Sequence, residues 1–350
     1  MKILHIVWML RFGGIETMLM NIANEQVIQG HKVGILLIDK DAADYDLVKR
    51  LDNKVRILYA NRKYGFWDIP AYWRMNRIIS KYDPDCIHLH SAAIFKYIWP
   101  NKRKICNVTL HALCNKPNTD HIKKIPRVFA ISQSVANDLK NKKGVNSIVN
   151  PNGIRPELFS TSKKEEKNET FKIVQVSRLE HQKKGQHILV LAGKQLKEEG
   201  FTNFSITFIG NGSSREYLEQ LVKNNNLQQE IMFLGMKDQQ YINDHLCEYD
   251  LFVQPSIYEG FGLTVAEAMA AKVPTLVSSG QGPEEVINNG QCGYIFKNGD
   301  IKDCADKIKL FLCDKNNKDF TERAFERVWN LYNVRTTVQT YLNNYATKGN

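Results

Sequence analysis

Residues 255–269 read PSIYEGFGLTVAEAM, and this is the most specific stretch of the sequence. Pro255 ends a predicted strand, and the glycines of the turn at residues 260–262 let the backbone approach a ligand closely. Good helix formers follow, so a helix is expected to begin at about Leu263. This geometry leaves Glu259 in the loop and places Glu267 about one turn into the helix, near its anion-attracting N-terminus.

Hydroxyl groups are the expected partners of these two glutamates. An ionised carboxylate only accepts hydrogen bonds, and a carboxylate beside a diphosphate would repel it. We therefore expect one glutamate to bind a sugar hydroxyl and the other a ribose hydroxyl.

Positive charge follows another predicted strand, where residues 177–185 read SRLEHQKKG. A guanidinium can grip a diphosphate with two hydrogen bonds, and an ammonium adds a point charge. Together they could stabilise a diphosphate as it leaves with developing charge. A solvated basic loop is the alternative interpretation of this segment.

The pattern around these segments predicts an α/β protein with parallel sheets, because short apolar runs alternate with segments of helical period. In the first half the candidate strands are residues 2–8, 33–38, 55–58, 86–90, 105–110 and 128–131. In the second half they are residues 171–176, 204–209, 231–233, 251–253 and 275–277, before a helical stretch at 320–345. A chain of 350 residues with 43% hydrophobic content is long enough for two such domains.

Unusual residues follow several of these strands. Ligands of open α/β sheets bind beyond the carboxyl ends of the strands, where backbone N–H groups point at anions. The residues at those positions are Gly13 and Gly14 after the first strand, His111 after the fifth, and Arg178, Gly210 and Gly212 in the second half.

Cysteine usage and the apolar start of the chain exclude some classes of protein. Seven cysteines without a Cys-x-x-Cys pair argue against a disulfide framework and a structural zinc site. The apolar run at residues 3–10 is too short to span a membrane and has no cleavage site. A reduced, cytosolic setting is therefore expected.

The net charge of +11 belongs to the first half of the chain. Residues 1–150 contain 24 Lys and Arg against 12 Asp and Glu, whereas the remainder contains 24 against 25. This asymmetry favours contact with something anionic, such as a membrane surface, a phosphorylated lipid or nucleic acid. A solvated lysine-rich surface is the alternative.

The sequence resembles the retaining GT-B glycosyltransferases of family four over most of its length. The family's Glu-x7-Glu signature matches Glu259 and Glu267, and its diphosphate ligands match Arg178 and Lys184. Further matches are the glycine-rich loop at residues 13–16, the His-x-His at 88–90, the Thr-x-His at 109–111, the Asn-Gly-Ile at 152–154 and the strand end at 233–235. Two segments depart from the family pattern: Lys272 replaces a glycine, and the acidic loop at residues 279–285 is rewritten.

The resemblance implies a GT-B fold, in which two facing Rossmann-like domains enclose a cleft. It places an acceptor-side domain at residues 1–158, a linker at 159–170, a donor-binding domain at 171–325 and a C-terminal helix at 326–350 that packs back on the first domain.

The resemblance also assigns roles to individual residues. Glu259 would hold the hydroxyls of the donor sugar, and Glu267 those of the ribose. His111 would contact the transferred sugar near its anomeric centre. Backbone near the diphosphate or the sugar would come from Gly13, Gly14 and Gly210 and from the amides of Phe261, Gly262 and Leu263. The family needs neither a cofactor nor a metal and retains the anomeric configuration.

Two further groups of residues have open interpretations. His88 and His90 share one face of a strand by its period of two, and at least one of them is expected to be a packed core residue. A metal would need a third ligand, and none is near them in sequence. Between Tyr59 and Tyr82, and again at residues 95–104, aromatic residues interleave with basic ones. This mixture suits a membrane interface, although half of the aromatics must pack in the core in any case.

These observations predict transfer of a hexose or N-acetylhexosamine from a nucleoside diphosphate sugar, with a UDP-sugar favoured. The expected acceptor is a glycan, carried on a lipid at the cytoplasmic membrane face, in bacterial surface-polysaccharide assembly. A sugar-nucleotide epimerase of the same architecture is an alternative, distinguished by product analysis with donor alone. A basic nucleic-acid-binding protein would explain the charge but not the second half, so no nucleic-acid partner is expected.

Overall fold

The computed structural model describes residues 1–11, 13–63, 68–114, 120–162, 170–313 and 318–346. Its contacts divide the chain into two compact units. The first unit combines Met1–Ile154 with the chain from Asn333 onward, and the second unit is Arg155–Tyr332.

A parallel sheet forms the centre of the first unit. Over the described residues its strand order is β3-β2-β1-β4-β5-β6-β7. The strands are β1 (Lys2–Val7), β2 (Lys32–Asp39), β3 (Arg56–Arg62), β4 (Cys86–Leu89), β5 (Cys106–Leu110), β6 (Arg127–Ala130) and β7 (Ile148–Val149). β1 and β2 are buried along nearly their whole length, as expected for parallel strands with both faces covered.

Helices cover the sheet of the first unit and close two hydrophobic clusters with it. They are α1 (Gly14–Ile28), α2 (Tyr45–Val48), α3 (Ile69–Tyr82), α4 (Pro100–Arg103) and α5 (Gln133–Lys143). Asp68 caps α3 by accepting a hydrogen bond from the Ala71 amide, and Ser132 caps α5 through the Val135 amide. This strand order with helical crossovers is the doubly wound arrangement of dinucleotide-binding folds.

The second unit repeats this architecture on a smaller sheet, whose order over the described residues is β10-β9-β8-β11-β12-β13. Its strands are β8 (Phe171–Val176), β9 (Phe204–Ile209), β10 (Ile231–Gly235), β11 (Leu251–Gln254), β12 (Thr275–Ser278) and β13 (Tyr294–Phe296). Its helices are α6 (His181–Lys184), α7 (Gln186–Glu198), α8 (Arg215–Asn224), α9 (Gln239–His245), α10 (Leu263–Ala270), α11 (Gly282–Val286), α12 (Ile301–Cys313) and α13 (Lys318–Leu331).

The last helix, α14 (Val334–Ala346), belongs to the first unit. Val338 and Tyr341 are buried in the same hydrophobic cluster as β1 and α1. The start of α14 packs closely against Gly153, where an added Cβ would lie 2.4 Å from the Val334 Cα. The chain thus returns to complete the core of its first unit.

Most predicted elements are present, and the differences lie at edges and boundaries. The short strands β7 and β13 were not predicted. The closing helical stretch is two helices, interrupted between Leu331 and Val334. The chain leaves the first unit after residue 154 and re-enters it at residue 333. The predicted domain limits were residues 158 and 326. Most of the predicted linker, and Tyr64, Phe66 and Trp67 of the aromatic stretch, lie outside the described residues.

Among the described residues, no helix combines the length and the apolar character needed to cross a bilayer.

Candidate active site

In the second unit, a very close backbone contact joins the loop after β8 to the loop after β11. Gly185 separates α6 from α7 and has a positive φ of 68°, and a Cβ added to it would lie 1.8 Å from the Pro255 carbonyl oxygen. Only glycine fits this position. The Lys183 carbonyl also accepts hydrogen bonds from the amides of Ile257, at 2.9 Å, and Tyr258, at 3.1 Å. The end of α6 is therefore fastened to the loop that carries Glu259.

This contact brings Lys184 and Glu259 together as an ion pair, in which the Lys184 ammonium donates to Glu259 Oε2. The two side chains are 24% and 19% exposed, so the pair is partly shielded but open to a ligand. An ammonium in such a position can attract a phosphate, and the carboxylate can accept hydrogen bonds from hydroxyls. The structure thus joins two residues that lie far apart in the sequence.

Arg178 lies at the end of the neighbouring strand β8. Its backbone carbonyl accepts a hydrogen bond of 2.9 Å from the Gln186 side chain. Its guanidinium pairs with Glu180 at 3.4 Å and its side chain remains 57% exposed. This surface ion pair is weak, so the Arg178 guanidinium could bind an anionic ligand instead of Glu180.

Glycines also allow the loop after β9 to lie against the loop after β8. A Cβ on Gly210, whose φ is 139°, would lie 2.0 Å from the Ser177 carbonyl oxygen. A Cβ on Gly212 would lie 2.4 Å from the Leu179 carbonyl oxygen. Gly210 is therefore explained by packing of the protein backbone, and its predicted contact with the donor stays a prediction.

The turn at residues 260–262 leads directly into α10, with Gly262 at the N-cap in the left-handed conformation at φ 98°. The amides of Leu263 and Thr264 lie in the first turn, where a helix supplies no acceptor. The Phe261 ring is buried and meets Tyr332 edge-on at 5.5 Å between centroids. Phe261 can therefore offer a ligand only its backbone, and the contact of this turn with the donor stays a prediction.

A second loop supports this turn from behind. Gln281 Oε1 accepts a hydrogen bond of 2.9 Å from the Glu259 amide, and the Glu259 carbonyl accepts one from the Gly282 amide. A Cβ on Gly282 would lie 2.4 Å from the Gly260 carbonyl group. The rewritten acidic loop of the sequence is thus the support of the Glu259 backbone.

Glu267 lies on α10 and is 5% exposed. Gln239, the first residue of α9, donates a hydrogen bond of 3.1 Å from Nε2 to Glu267 Oε1. A carboxyl group has two oxygens, so a side chain that accepts from Gln239 through Oε1 can accept a further hydrogen bond from a ligand. Gln239 was not predicted, because no pattern in the sequence links α9 to residue 267.

In the first unit, Gly13 and Gly14 form the N-terminus of α1. The φ of Gly13 is 179°, an extended conformation open to any residue. A Cβ on Gly14 would meet no atom within 4 Å. Protein packing therefore does not require glycine at position 14, whereas close approach of a ligand to this helix N-terminus would.

His111 follows β5, is partly buried and contacts a group of buried histidines. His111 Nε2 lies 3.3 Å from His90 Nδ1, and His90 Nε2 lies 3.1 Å from His5 Nδ1. Burial lowers the pKa of His111 and of His5 to about 4. His88 is also buried and bonds Thr109 at 2.8 Å. His88 and His90, of which at least one was expected to be a packed core residue, are both buried. His90 additionally contacts His111.

Across the described residues, no set of three His, Cys, Asp or Glu side chains is arranged to hold a metal ion. His5 was not predicted as a member of this group. It lies beside His88 and His90 because β1 pairs with β4 and places His5 opposite His88.

Solved structures share this fold over the whole chain. One of them is Anabaena HepE in complex with UDP and glucose, which aligns with a TM-score of 0.80 over 98% of this chain and 99% of its own, at 19% identity. The fold is GT-B, with two α/β units that each contain a parallel sheet.

Family models cover both units. The model described as Glycosyltransferase Family 4 matches residues 12–158, and the model described as Glycosyl transferases group 1 matches residues 158–327. The chain belongs to the GT-B glycosyltransferases of family four.

Curated relatives carry glycosyltransferase names. N-acetyl-alpha-D-glucosaminyl L-malate synthase of Bacillus anthracis is 26% identical over 81% of this chain and 80% of its own length. The amylovoran biosynthesis glycosyltransferase AmsK of Erwinia amylovora is 30% identical over 44% of this chain and 39% of its own length. This chain is a glycosyltransferase with homologues in bacterial polysaccharide biosynthesis.

Proposed function

We propose that this protein transfers a hexose or N-acetylhexosamine from a nucleoside diphosphate sugar, preferably a UDP-sugar, to a lipid-linked glycan. The observation that carries the proposal is the Lys184–Glu259 ion pair beside the turn at residues 260–262. It combines a cation for a phosphate, a carboxylate for sugar hydroxyls and free helix amides in one place. The UDP of Anabaena HepE and the acetylglucosaminyl group in the name of the Bacillus relative support the choice of donor.

In this proposal the parts of the second unit divide the donor between them. Arg178 and Lys184 bind the diphosphate and stabilise its charge as it leaves. Glu259 accepts hydrogen bonds from the sugar hydroxyls, and Glu267 accepts them from the ribose. The amides of Leu263 and Thr264, at the N-terminus of α10, donate hydrogen bonds to the departing phosphate or to the sugar.

The proposed reaction retains the anomeric configuration and needs no metal. The departing phosphate helps to deprotonate the acceptor hydroxyl while the new bond forms on the same face of the sugar. Lys184 and Arg178 then supply the positive charge that a metal ion supplies in other transferases.

The proposal is tested with purified protein, a panel of nucleoside diphosphate sugars and a lipid-linked glycan acceptor. We expect acceptor-dependent release of the nucleoside diphosphate, unaffected by EDTA. NMR of the product should show the same anomeric configuration as the donor. Change of the sugar with donor alone would instead identify an epimerase, and an inverted product would exclude retention.

We also propose that the first unit binds the cytoplasmic face of the membrane peripherally. The support is α3, where Ile69 and Trp73 are exposed and the Arg77 guanidinium lies 4.7 Å from the Trp73 ring centre. An exposed aromatic beside a cation suits the interface of an anionic bilayer.

Flotation with vesicles tests the membrane proposal. Wild-type protein should float with phosphatidylglycerol vesicles and not with phosphatidylcholine vesicles, and Trp73→Ala should lose flotation. Trp329→Ala, at an exposed tryptophan of the second unit, is the matched control and should float like wild type. Equal behaviour of the two variants would exclude α3 as the membrane contact.

A further inference from the structure

Behind His111, hydrogen bonds run through the buried part of the first unit. They connect His111 Nε2 to His90 Nδ1 at 3.3 Å, His90 Nε2 to His5 Nδ1 at 3.1 Å and His5 Nε2 to Gln26 Oε1 at 2.8 Å. His5 and Gln26 are 0% exposed. Below, these four residues are called the histidine chain.

Each neutral imidazole has one nitrogen that donates and one that accepts. Contact between two neutral rings therefore needs a donor on one and an acceptor on the other, so the tautomer of one ring fixes that of the next. Burial keeps all three rings neutral, because it lowers the pKa of His5 and His111 to about 4 and that of His90 well below its ordinary value.

Gln26, at one end of the histidine chain, determines which nitrogen donates in each hydrogen bond. In the orientation that the structure gives the Gln26 amide, Oε1 faces His5 and can only accept, so it requires a proton on His5 Nε2. His5 Nδ1 must then accept from His90 Nε2, and His90 Nδ1 must accept from His111 Nε2. His111 Nδ1 is left with a lone pair, and this atom is buried without a hydrogen-bond partner in the described residues.

We propose that Gln26, His5 and His90 are positioning residues that hold His111 in the tautomer protonated at Nε2. His111 is then neutral, with its lone pair on the buried Nδ1, and it transfers no proton to the sugar substrate. This functional part rests on the proposed function, whereas the tautomer itself does not.

The tautomer is measured on the full chain without substrate, by long-range proton–nitrogen NMR of the histidine rings. We expect His111 in wild type to be neutral and protonated at Nε2 at about pH 7. The variant Gln26→Met keeps the length of the side chain and removes the acceptor, so it should release the tautomer of His111 into a mixture.

Tyr341→Phe is the matched control. The Tyr341 hydroxyl bonds Thr109 at 2.8 Å in the same buried region but is not part of the histidine chain. This variant also removes a buried hydrogen bond, and it should keep the wild-type tautomer of His111. A His111 protonated at Nδ1 in wild type, or an unchanged tautomer in Gln26→Met, would overturn the proposal.

Kinetics then separates positioning from general loss of stability. In Gln26→Met we expect kcat to fall about tenfold or more while the KM of the donor changes by less than about twofold. Tyr341→Phe should keep kcat at the wild-type value. If wild type itself transfers no sugar, the proposed function fails, and the NMR result still decides the tautomer.

Discussion

The surroundings of Glu267 decide what this carboxylate could do in the proposed site. It is buried on α10 and held by Gln239 at 3.1 Å. A hydrogen bond to a charged group contributes about 1.5–3 kcal/mol, so the loss of the charge should weaken donor binding strongly.

We expect Glu267→Gln to weaken binding of the nucleoside diphosphate about tenfold or more, measured by calorimetric titration. Glu198→Gln is the matched control, because the Glu198 side chain is 64% exposed on α7 and pairs with Lys194 at the surface. It should bind like wild type. Equal affinities in both variants would remove Glu267 from the site.

The buried histidines predict how stability depends on pH. Their pKa values in the folded protein are lowered, to about 4 for His5 and His111, whereas the unfolded chain has ordinary values near 6.5. The unfolded state therefore binds more protons between these values. Protonation therefore favours the unfolded state, and the free energy of unfolding decreases as the pH falls.

We expect the free energy of unfolding, measured with urea, to drop by several kcal/mol between about pH 7 and about pH 5. In His90→Asn this pH dependence should be shallower, because one buried histidine is missing. His245→Asn, at the surface pair with Glu248, should keep the wild-type dependence. A stability that rises on acidification would contradict the lowered pKa values.

Among the secondary-structure elements, α6 and α7 explain how the loops of the proposed donor site come together. The left-handed Gly185 between them lies against the Pro255 carbonyl, and this contact brings Lys184 to Glu259. A side chain at position 185 would separate the two loops or force the backbone to shift.

We expect Gly185→Ala to destabilise the protein by about 3 kcal/mol or more and to weaken donor binding. Gly200→Ala is the matched control, since Gly200 has a similar φ of 89° but no atom within 4 Å of an added Cβ. It should cost only about 1 kcal/mol, from the backbone conformation alone. Similar losses in thermal denaturation for the two variants would show that the Pro255 contact is unimportant.

The strands and the residues at their ends could be predicted from the sequence, because buried parallel strands read as apolar runs and ligand loops follow them. Residues 171–176 and 204–209 were predicted with the bounds that the structure has. Contacts between distant segments could not be predicted. His5 and Gln26 join His90 only through the pairing of β1 with β4 and the packing of α1, and Gln239 reaches Glu267 only through the tertiary fold.

The break between α13 and α14 shows the same limit. Residues 320–345 were predicted as one stretch of helical character, but α13 ends at Leu331 and the chain changes units at Asn333. Asn333 forms an isolated bridge with Ile154, and the Ile154 carbonyl accepts from the Val334 amide at 2.7 Å. Helical periodicity carries no information about which core a face will join.

At the scale of the whole molecule, α14 makes the first unit depend on the far end of the chain. Val334, Val338 and Tyr341 are buried in the cluster formed with β1, β2 and α1. Removal of large buried side chains costs about 2–5 kcal/mol each, which exceeds the margin of most domains when several are lost.

We expect a chain that ends at residue 332 to lose the cooperative unfolding transition of the first unit in calorimetry. A chain that ends at residue 346 keeps α14 and serves as the matched control, which should unfold like the full-length protein. Retention of both transitions in the shorter chain would show that α14 is dispensable.

The central claim is that the second unit binds the diphosphate of a sugar nucleotide through Lys184 beside Glu259. Lys184→Met and Lys183→Met test it most directly, because the residues are adjacent but the Lys183 side chain is 64% exposed and pairs with Glu180. In calorimetric titrations of UDP, we predict micromolar to millimolar binding by wild type. Lys184→Met should bind about tenfold more weakly, and Lys183→Met should stay within about twofold of wild type. The titration is repeated with GDP. If all three proteins bound each nucleotide with the same affinity, the account would be contradicted.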